Sequence, residues 1–191
     1  MSAPTLVLAS ASLRRLALLA QIGIVPDRVI APDIDESPLR DEQPRNYVSR
    51  LARAKASAVA MPDCYVLAAD TVVAVGSRIL PKTETEADAR RCLTLLSGRR
   101  HRVTTAVVLR APGGRRGDRL VQSVVGFSRL SERQIADYLA GDDWRGKAGG
   151  YAIQGHAAMV IRFLSGSYSN VVGLPLFETA QLLRGLGWPL P

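Results

Sequence analysis

The chain is poor in cysteine and histidine, holding only Cys64, Cys92 and two histidines among 191 residues. Two cysteines cannot build a disulfide framework, and two cysteines with two histidines do not make a convincing zinc site. No apolar run approaches the ~18 residues that cross a membrane. The short apolar segment 6–11 has no positive side chain before it, unlike a signal peptide. We therefore expect a cytoplasmic protein with reduced thiols.

Lysine is scarce as well, whereas arginine is abundant. Of the 25 basic residues only Lys55, Lys82 and Lys147 are lysines, and the 17 acidic residues leave a formal net charge of +8. The arginine guanidinium is a planar group with several donors, whereas the lysine ammonium is a compact charge. These three positions therefore favour a contact between a single ammonium group and a ligand, unless lysine occurs there by chance. The charge indicates a polyanionic partner. An aromatic fraction of 5% and scattered arginines disfavour nucleic acid.

Strand-like and helix-like segments alternate along the whole chain, without internal repeats or a separating linker. Apolar runs predict strands at 5–9, 28–31, 65–69, 72–80 (a hairpin), 103–109, 120–127 and 157–163. Amphipathic spacing predicts helices at 13–21, 44–60, 84–96, 131–139 and 175–184. The pattern indicates an α/β fold: a mixed twisted sheet with flanking helices, built as one domain over residues 1–191.

The first candidate site is the segment from Ser10 to Arg15, at a predicted strand-to-helix junction. Ser10, Ser12, Arg14 and Arg15 bring hydroxyl groups and guanidinium groups to the free N–H groups of a helix N-terminus, which together suit an anion. The alternative is a serine N-cap followed by solvated arginines. The segment alone does not decide between them.

Two further candidates are acidic. The loop with Asp33, Asp35 and Glu36 could hold a hard divalent cation or supply ordinary turn residues. Asp70, at the predicted end of a buried strand, is either a placed ligand or base or a turn cap. An anion-binding segment with separated carboxylates suits metal-assisted attack on a polyphosphate. Gln154, set among glycines and apolar residues, could read a base edge or be an ordinary loop residue.

The order of motifs along nearly the whole chain resembles the Maf family of nucleoside triphosphate pyrophosphatases. The matching segments are L-A-S-A-S-L-R-R (8–15), D-I-D-E-S-P (33–38), R-L-A-R-A-K-A (50–56), A-A-D-T (68–71), L-S-G (96–98), K-A-G-G-Y-A-I-Q-G (147–155), G-S-Y-S-N-V-V-G-L-P-L (166–176) and E-T-A (178–180). The resemblance implies two lobes around a nucleotide-binding cleft, a divalent metal (Mg or Mn), a homodimer, and hydrolysis between the α and β phosphates.

The resemblance also implies roles for individual residues. Asp70 would be the proton acceptor and, with Glu36, a metal ligand. Phosphate contacts would come from Ser10, Ser12, Arg14, Lys55 and Lys82. Asp70-Thr71 together with Ile153-Gln154-Gly155 looks like the branch that prefers dTTP and UTP, which makes Arg14, Thr71 and Gln154 the specificity positions.

The chain departs from the usual family motifs at four places. Leu13 and Gly146 stand where proline and aspartate are usual, and Pro81-Lys82-Thr83 replaces glycine-lysine-proline. The charged groups assigned to phosphate and metal are kept, so the resemblance implies that the chemistry persists. The alternative from a different class is a basic nucleic-acid-binding regulator of cell division without turnover.

Overall fold

The computed structural model describes residues 4–190. In this part of the chain the elements are β1 (Leu6–Ala9), α1 (Leu13–Gln21), β2 (Arg28–Val29), α2 (Pro44–Ala58), β3 (Tyr65–Val75), β4 (Arg78–Leu80), α3 (Glu86–Leu96), β5 (Arg100–Arg110), β6 (Arg116–Phe127), α4 (Glu132–Leu139), β7 (Ile161–Ser165), α5 (Tyr168–Val172) and α6 (Leu176–Gly185). Short 3-10 turns lie at Pro112–Gly114 and His156–Met159. None of the helices in residues 4–190 combines the length and the apolarity needed to cross a bilayer.

The strands form one mixed sheet in the order β2-β1-β3-β5-β6-β7, with β4 paired to β3. Strand β1 is parallel to both β2 and β3, and Ala9 lies opposite Ala68. The pairs β3–β4 and β6–β7 are antiparallel. The predicted α/β fold with a mixed sheet and helices is therefore confirmed.

The chain divides into two compact units. The first contains residues 4–70, 105–121 and 173–190, and the second contains residues 71–104 and 122–172. In the first unit β1 is fully buried, as is the half of β3 that precedes Thr71. The core of the second unit combines α3 and α4 with aromatic side chains, among them Phe127, Trp144 and Tyr151.

Local sequence explains where the helices begin. Pro44 stands in the first turn of α2, where its missing N–H costs no hydrogen bond. Thr85 caps α3 by accepting from the Asp88 N–H. Ser131 and Gln134 form the predicted capping box of α4, each side chain accepting from the other residue's backbone N–H.

Two strand predictions were wrong. Asp70 does not end its strand, because β3 continues to Val75; the β-branched residues Thr71, Val72 and Val73 extend it. The strand predicted at 157–163 is a 3-10 turn followed by β7, which begins at Ile161 and pairs with β6. Small residues around 157–158 have weak strand preference, and Gly155 precedes the turn.

Candidate active site

The carboxyl end of β1 is a point where the chain connections leave in opposite directions. Strand β1 leads through α1 to β2 on one side, and α2 then returns the chain to β3 on the other side. In open α/β sheets, ligands bind outside the carboxyl ends of the strands at such a switch point. Ser10 directly follows β1, and Asp70 lies two residues past the Ala9–Ala68 pair on the neighbouring strand. The topology therefore brings two predicted site residues to the carboxyl end of the β1–β3 pairing.

Ser10 and Ser12 are placed by the turn into α1. Ser12 occupies the N-cap position, but its side chain makes no capping hydrogen bond. Ser10 is buried, and its Oγ accepts from the Ser12 N–H at 3.2 Å and from Arg15 Nη1 at 2.9 Å. Arg14 is half-buried; burial lowers its pKa from the ordinary value, and the charge of Arg15 lowers it further.

Arg15 is a further candidate, to which the resemblance assigns no role. Its side chain is buried rather than solvated. Its Nε donates to the Gly173 carbonyl at 2.8 Å while Nη1 donates to Ser10. Burial lowers the pKa of Arg15, whereas the carboxylates of Asp70 and Glu36 act in the opposite direction. The signal was present in the sequence: Arg15, Leu18 and Leu19 share one helical face, and that face is buried.

Lys55 joins the two predicted metal ligands. Its Nζ lies 2.7 Å from Glu36 Oε1 and donates to Asp70 Oδ1 at 2.5 Å. Lys55 and Asp70 are 6% and 5% exposed, whereas the Glu36 side chain is one-third exposed. Lys55 lies in the last turn of α2, on the stripe that also buries Leu51 and Ala52. Helical periodicity therefore turns the ammonium group inward, and its acidic partners come from a loop and a strand.

The acidic loop contributes only one of its three carboxylates to this cluster. Asp35 Oδ1 accepts from the Ser37 N–H at 2.8 Å, so it acts as a turn residue, and both Asp33 and Asp35 are exposed. Glu36 is tied to α2 a second time, because the Tyr47 hydroxyl donates to its carbonyl at 2.9 Å. Burial, together with the carboxylates of Asp70 and Glu36, raises the pKa of Tyr47 to about 12.

The donor set suits a divalent cation that a substrate also binds. No group of three or more His, Cys, Asp or Glu side chains in residues 4–190 is arranged to hold a metal by itself. Glu36 and Asp70, however, direct one oxygen each to the same cation, the Lys55 ammonium group. Magnesium in nucleotide enzymes is bound by one or two carboxylates with the substrate phosphates completing the coordination. The two carboxylates fit that pattern.

The remaining predicted residues lie in the second unit. Lys82 forms an isolated antiparallel bridge with Ala148, and Gly149 N–H donates to the Pro81 carbonyl at 3.0 Å. Lys82 and Gln154 are exposed, and Thr71 is half-buried in β3. The structure therefore brings Ser10, Glu36, Lys55 and Asp70 into one region of the first unit. It places Lys82 on a loop joined to the segment 146–149.

Two of the departures from the family motifs occur together in these loops. Thr83 is fully buried; its Oγ1 donates to the Trp144 carbonyl at 2.5 Å, and its N–H donates to the Lys147 carbonyl at 3.2 Å. Gly146 has φ +64°, which favours glycine over aspartate, and its N–H donates to the Thr83 carbonyl. A proline at 83 would lack both donors. The two departures therefore support one another.

Comparisons with known proteins show which sequences and which fold the chain is similar to. Residues 5–186 match the family model described as Maf-like protein. The chain is 60% identical to the dTTP/UTP pyrophosphatase of Granulibacter bethesdensis, over 96% of this chain and 93% of that protein. It is 62% identical to the dTTP/UTP pyrophosphatase of Caulobacter vibrioides, over 97% of each chain. The Ham1 protein of Staphylococcus aureus has a similar fold, with a TM-score of 0.53, 14% identity and coverage of 95% and 98%.

Proposed function

Because the chain belongs to the Maf family, we propose that it is a metal-dependent nucleoside triphosphate pyrophosphatase. It hydrolyses the bond between the α and β phosphates and releases a nucleoside monophosphate and pyrophosphate. The observation that carries the proposal is the buried Lys55 between the carboxylates of Glu36 and Asp70, at the carboxyl end of a parallel strand pair. The substrates are dTTP and UTP, which the names of the 60–62% identical relatives also give.

Asp70 is the proposed proton acceptor for the attacking water. Lys55 donates to its Oδ1, and the surrounding strand is buried, so the carboxylate is held in one orientation. A positioned general base contributes typically 10²–10⁴-fold to a hydrolysis rate. The departing pyrophosphate carries away the negative charge that develops on the leaving group.

Cationic and hydroxyl groups of the first unit bind the phosphates. Ser10, Ser12 and Arg14 surround the N-terminus of α1, where unpaired N–H groups favour an anion. Lys55 adds a point charge at Asp70, and Lys82 of the second unit adds another phosphate contact. Each of these groups lowers the free energy of a transition state in which charge spreads over phosphate oxygens.

A divalent metal, Mg or Mn, is held by Glu36 and Asp70. When bound, it supplies charge neutralisation for the triphosphate and polarises the phosphorus centre. Arg14, Thr71 and Gln154 distinguish the pyrimidine base. Residues 1–191 act as one Maf-like domain, and the protein works in the cytoplasm as a homodimer.

The direct experiment measures pyrophosphate release from a panel of nucleoside triphosphates with Mg²⁺ or Mn²⁺. The wild-type enzyme turns over dTTP and UTP fastest, and Asp70→Asn lowers kcat by at least about 10²-fold because the general base is lost. Asp33→Asn is the matched control, since Asp33 is an exposed acid of the neighbouring loop, and it keeps full activity. Circular dichroism verifies that both variants fold.

Two results would contradict the proposal. One is the absence of pyrophosphate release from every nucleotide in the panel. The other is an Asp70→Asn variant that keeps wild-type kcat, since no base would then be needed at that position.

A further inference from the structure

Asp143 makes a specific attachment to the segment that follows Gln154. Its Oδ2 accepts from the His156 backbone N–H at 2.8 Å and lies 2.9 Å from Nδ1 of the same histidine. These two hydrogen bonds lower the pKa of Asp143 from its ordinary value. The Asp143 side chain is one-third exposed, so the interaction is only partly screened by water.

Gly155 shows how closely Asp143 approaches this segment. A Cβ added at Gly155 would lie 2.2 Å from Asp143 Oδ2 and 2.8 Å from its Cγ. The φ of Gly155 is −105°, so its negative φ does not itself require glycine. A side chain at this position would displace the Asp143 carboxylate and so break its hydrogen bonds to His156.

The backbone that carries Asp143 is itself fixed. The neighbouring Trp144 is 2% exposed, its Nε1 donates to the Leu139 carbonyl at 3.1 Å, and the guanidinium carbon of Arg145 lies 4.3 Å from its ring centroid. The Trp144 carbonyl accepts from Thr83, which follows Lys82. Asp143 therefore lies next to a buried, hydrogen-bonded tryptophan, and the same tryptophan also binds the loop that contains Lys82.

We propose that Asp143 is a positioning residue for base recognition, holding Gly155 and His156 so that Gln154 presents its amide to the pyrimidine. The inference rests on the proposed function, in which Gln154 reads the base. Asp143 acts through the loop and touches no reacting atom. Its removal therefore changes substrate discrimination and KM, while kcat for a bound pyrimidine nucleotide stays near the wild-type value.

The chain supplies a matched control in the adjacent residue. Asp142 carries the same charge, its side chain is 86% exposed, and it pairs with Arg145 rather than with the Gln154 segment. In the Asp143→Ala variant the kcat/KM ratio of dTTP to dGTP falls about 3- to 10-fold, the effect of a misplaced hydrogen bond. Asp142→Ala leaves the ratio unchanged. Asp143→Asn, which keeps one acceptor, gives an intermediate ratio.

A double-mutant cycle with Gln154→Ala tests whether Asp143 acts through Gln154. In the Gln154→Ala background, adding Asp143→Ala produces no further loss of discrimination. An equal loss in both backgrounds overturns the proposal, because Asp143 would then act by another route. An unchanged ratio in Asp143→Ala also overturns it.

Hydrogen exchange of the full-length protein provides a readout that does not depend on turnover. The His156 amide loses protection in Asp143→Ala and keeps it in Asp142→Ala; equal protection in both overturns the proposed attachment. A wild-type enzyme without turnover on any nucleotide would overturn the proposed function and this inference with it. Normal turnover with unchanged discrimination in Asp143→Ala overturns this inference alone.

Discussion

Lys55 is held by distances that only a compact cation satisfies. Its Nζ contacts carboxylates of two different elements at 2.7 and 2.5 Å, and the residue is 6% exposed. A guanidinium is larger and planar, so it cannot occupy the same point. We predict that Lys55→Arg lowers kcat/KM for dTTP at least tenfold, although the charge is preserved. Steady-state pyrophosphate release measures the effect.

The same helix provides the control for this substitution. Arg53 lies two residues earlier on α2, and its side chain is half exposed and paired with Asp118. Arg53→Lys keeps wild-type kinetics, since exposed ion pairs contribute about 0–1 kcal/mol. Near-normal kcat/KM in Lys55→Arg would mean that the scarcity of lysine in this chain reflects composition rather than site geometry.

His101 makes the stability of the second unit depend on pH. Burial lowers its pKa from 6.5 to about 4, Nε2 lies 2.7 Å from the Tyr151 hydroxyl, and Nδ1 is buried without a hydrogen-bond partner in the described structure. Protonation would therefore add a buried charge. The unfolded chain binds this proton below pH 6.5 and the folded chain only below about 4, so stability is complete above 6.5 and falls with pH across that window.

We predict that this histidine accounts for a loss of about 2–3 kcal/mol in unfolding free energy between pH 7 and pH 4.5. Urea unfolding of the wild type and of His101→Gln at a series of pH values measures it. The variant, neutral at every pH, shows a pH dependence flatter by that amount. Parallel curves for the two proteins would show that His101 does not titrate in this range.

The first turn of α1 shows how an element can absorb a departure from the family pattern. Leu13 occupies the first helical position, is 80% exposed, and follows Ser12 with φ −78° and ψ 109°. Proline suits this position, because the first N–H groups of a helix have no partner within it and because the preceding residue is already extended. Leucine therefore replaces the usual proline without disturbing the hydroxyl groups that precede it.

We predict that Leu13→Pro raises the unfolding free energy by about 0.4–1 kcal/mol, since the unfolded chain loses conformational freedom. The Tm rises by about 1–4 °C, and the kinetics stay normal. Leu16→Pro is the contrasting variant. It removes the hydrogen bond from the Leu16 N–H to the Ser12 carbonyl and destabilises by about 3 kcal/mol or more. A lower Tm in Leu13→Pro would contradict the assignment.

Element prediction succeeded where a local signal marks the boundary and failed where pairing decides it. The bounds of α1 and the capping box of α4 follow from residues within a few positions of each end. The full length of β3 and the start of β7 depend on neighbouring strands, β4 and β6, that lie elsewhere in the sequence. Tertiary pairing overrides the local pattern at such places.

The same distinction applies to the candidate site as a whole. Residue type and order indicated Ser10, Glu36, Lys55 and Asp70, but not that Lys55 joins the two acids, because these pairs are separated by 15–19 positions in the sequence. The Arg15–Gly173 hydrogen bond spans 158 positions and has no local signature. The attachment of Asp143 to His156 likewise becomes visible only when the loops are folded.

The net charge of +8 does not by itself indicate a nucleic-acid-binding surface, because the arrangement of the arginines decides whether one exists. Within residues 4–190, the arginines that form ion pairs with carboxylates include Arg40, Arg50, Arg53, Arg90, Arg91, Arg133 and Arg145. Arg15 and Arg110 also donate to backbone carbonyls. A nucleic-acid-binding face needs many cations directed at successive phosphates. The pairing of arginines with nearby carboxylates weakens the electrostatic field that would attract those phosphates.

We therefore predict no binding of single- or double-stranded 20-mer DNA tighter than about 1 μM at 150 mM salt. Fluorescence anisotropy across a salt series measures the affinity and its slope. The Lys55→Arg variant is the internal control, because Lys55 is buried and does not contribute to a surface. Tight binding with a steep salt slope, unaffected by Lys55→Arg, would instead favour a nucleic-acid-binding role. Weak DNA binding together with turnover of dTTP would mean that the positive charge belongs to the proposed phosphate-binding region and to scattered arginines, not to a nucleic-acid-binding face.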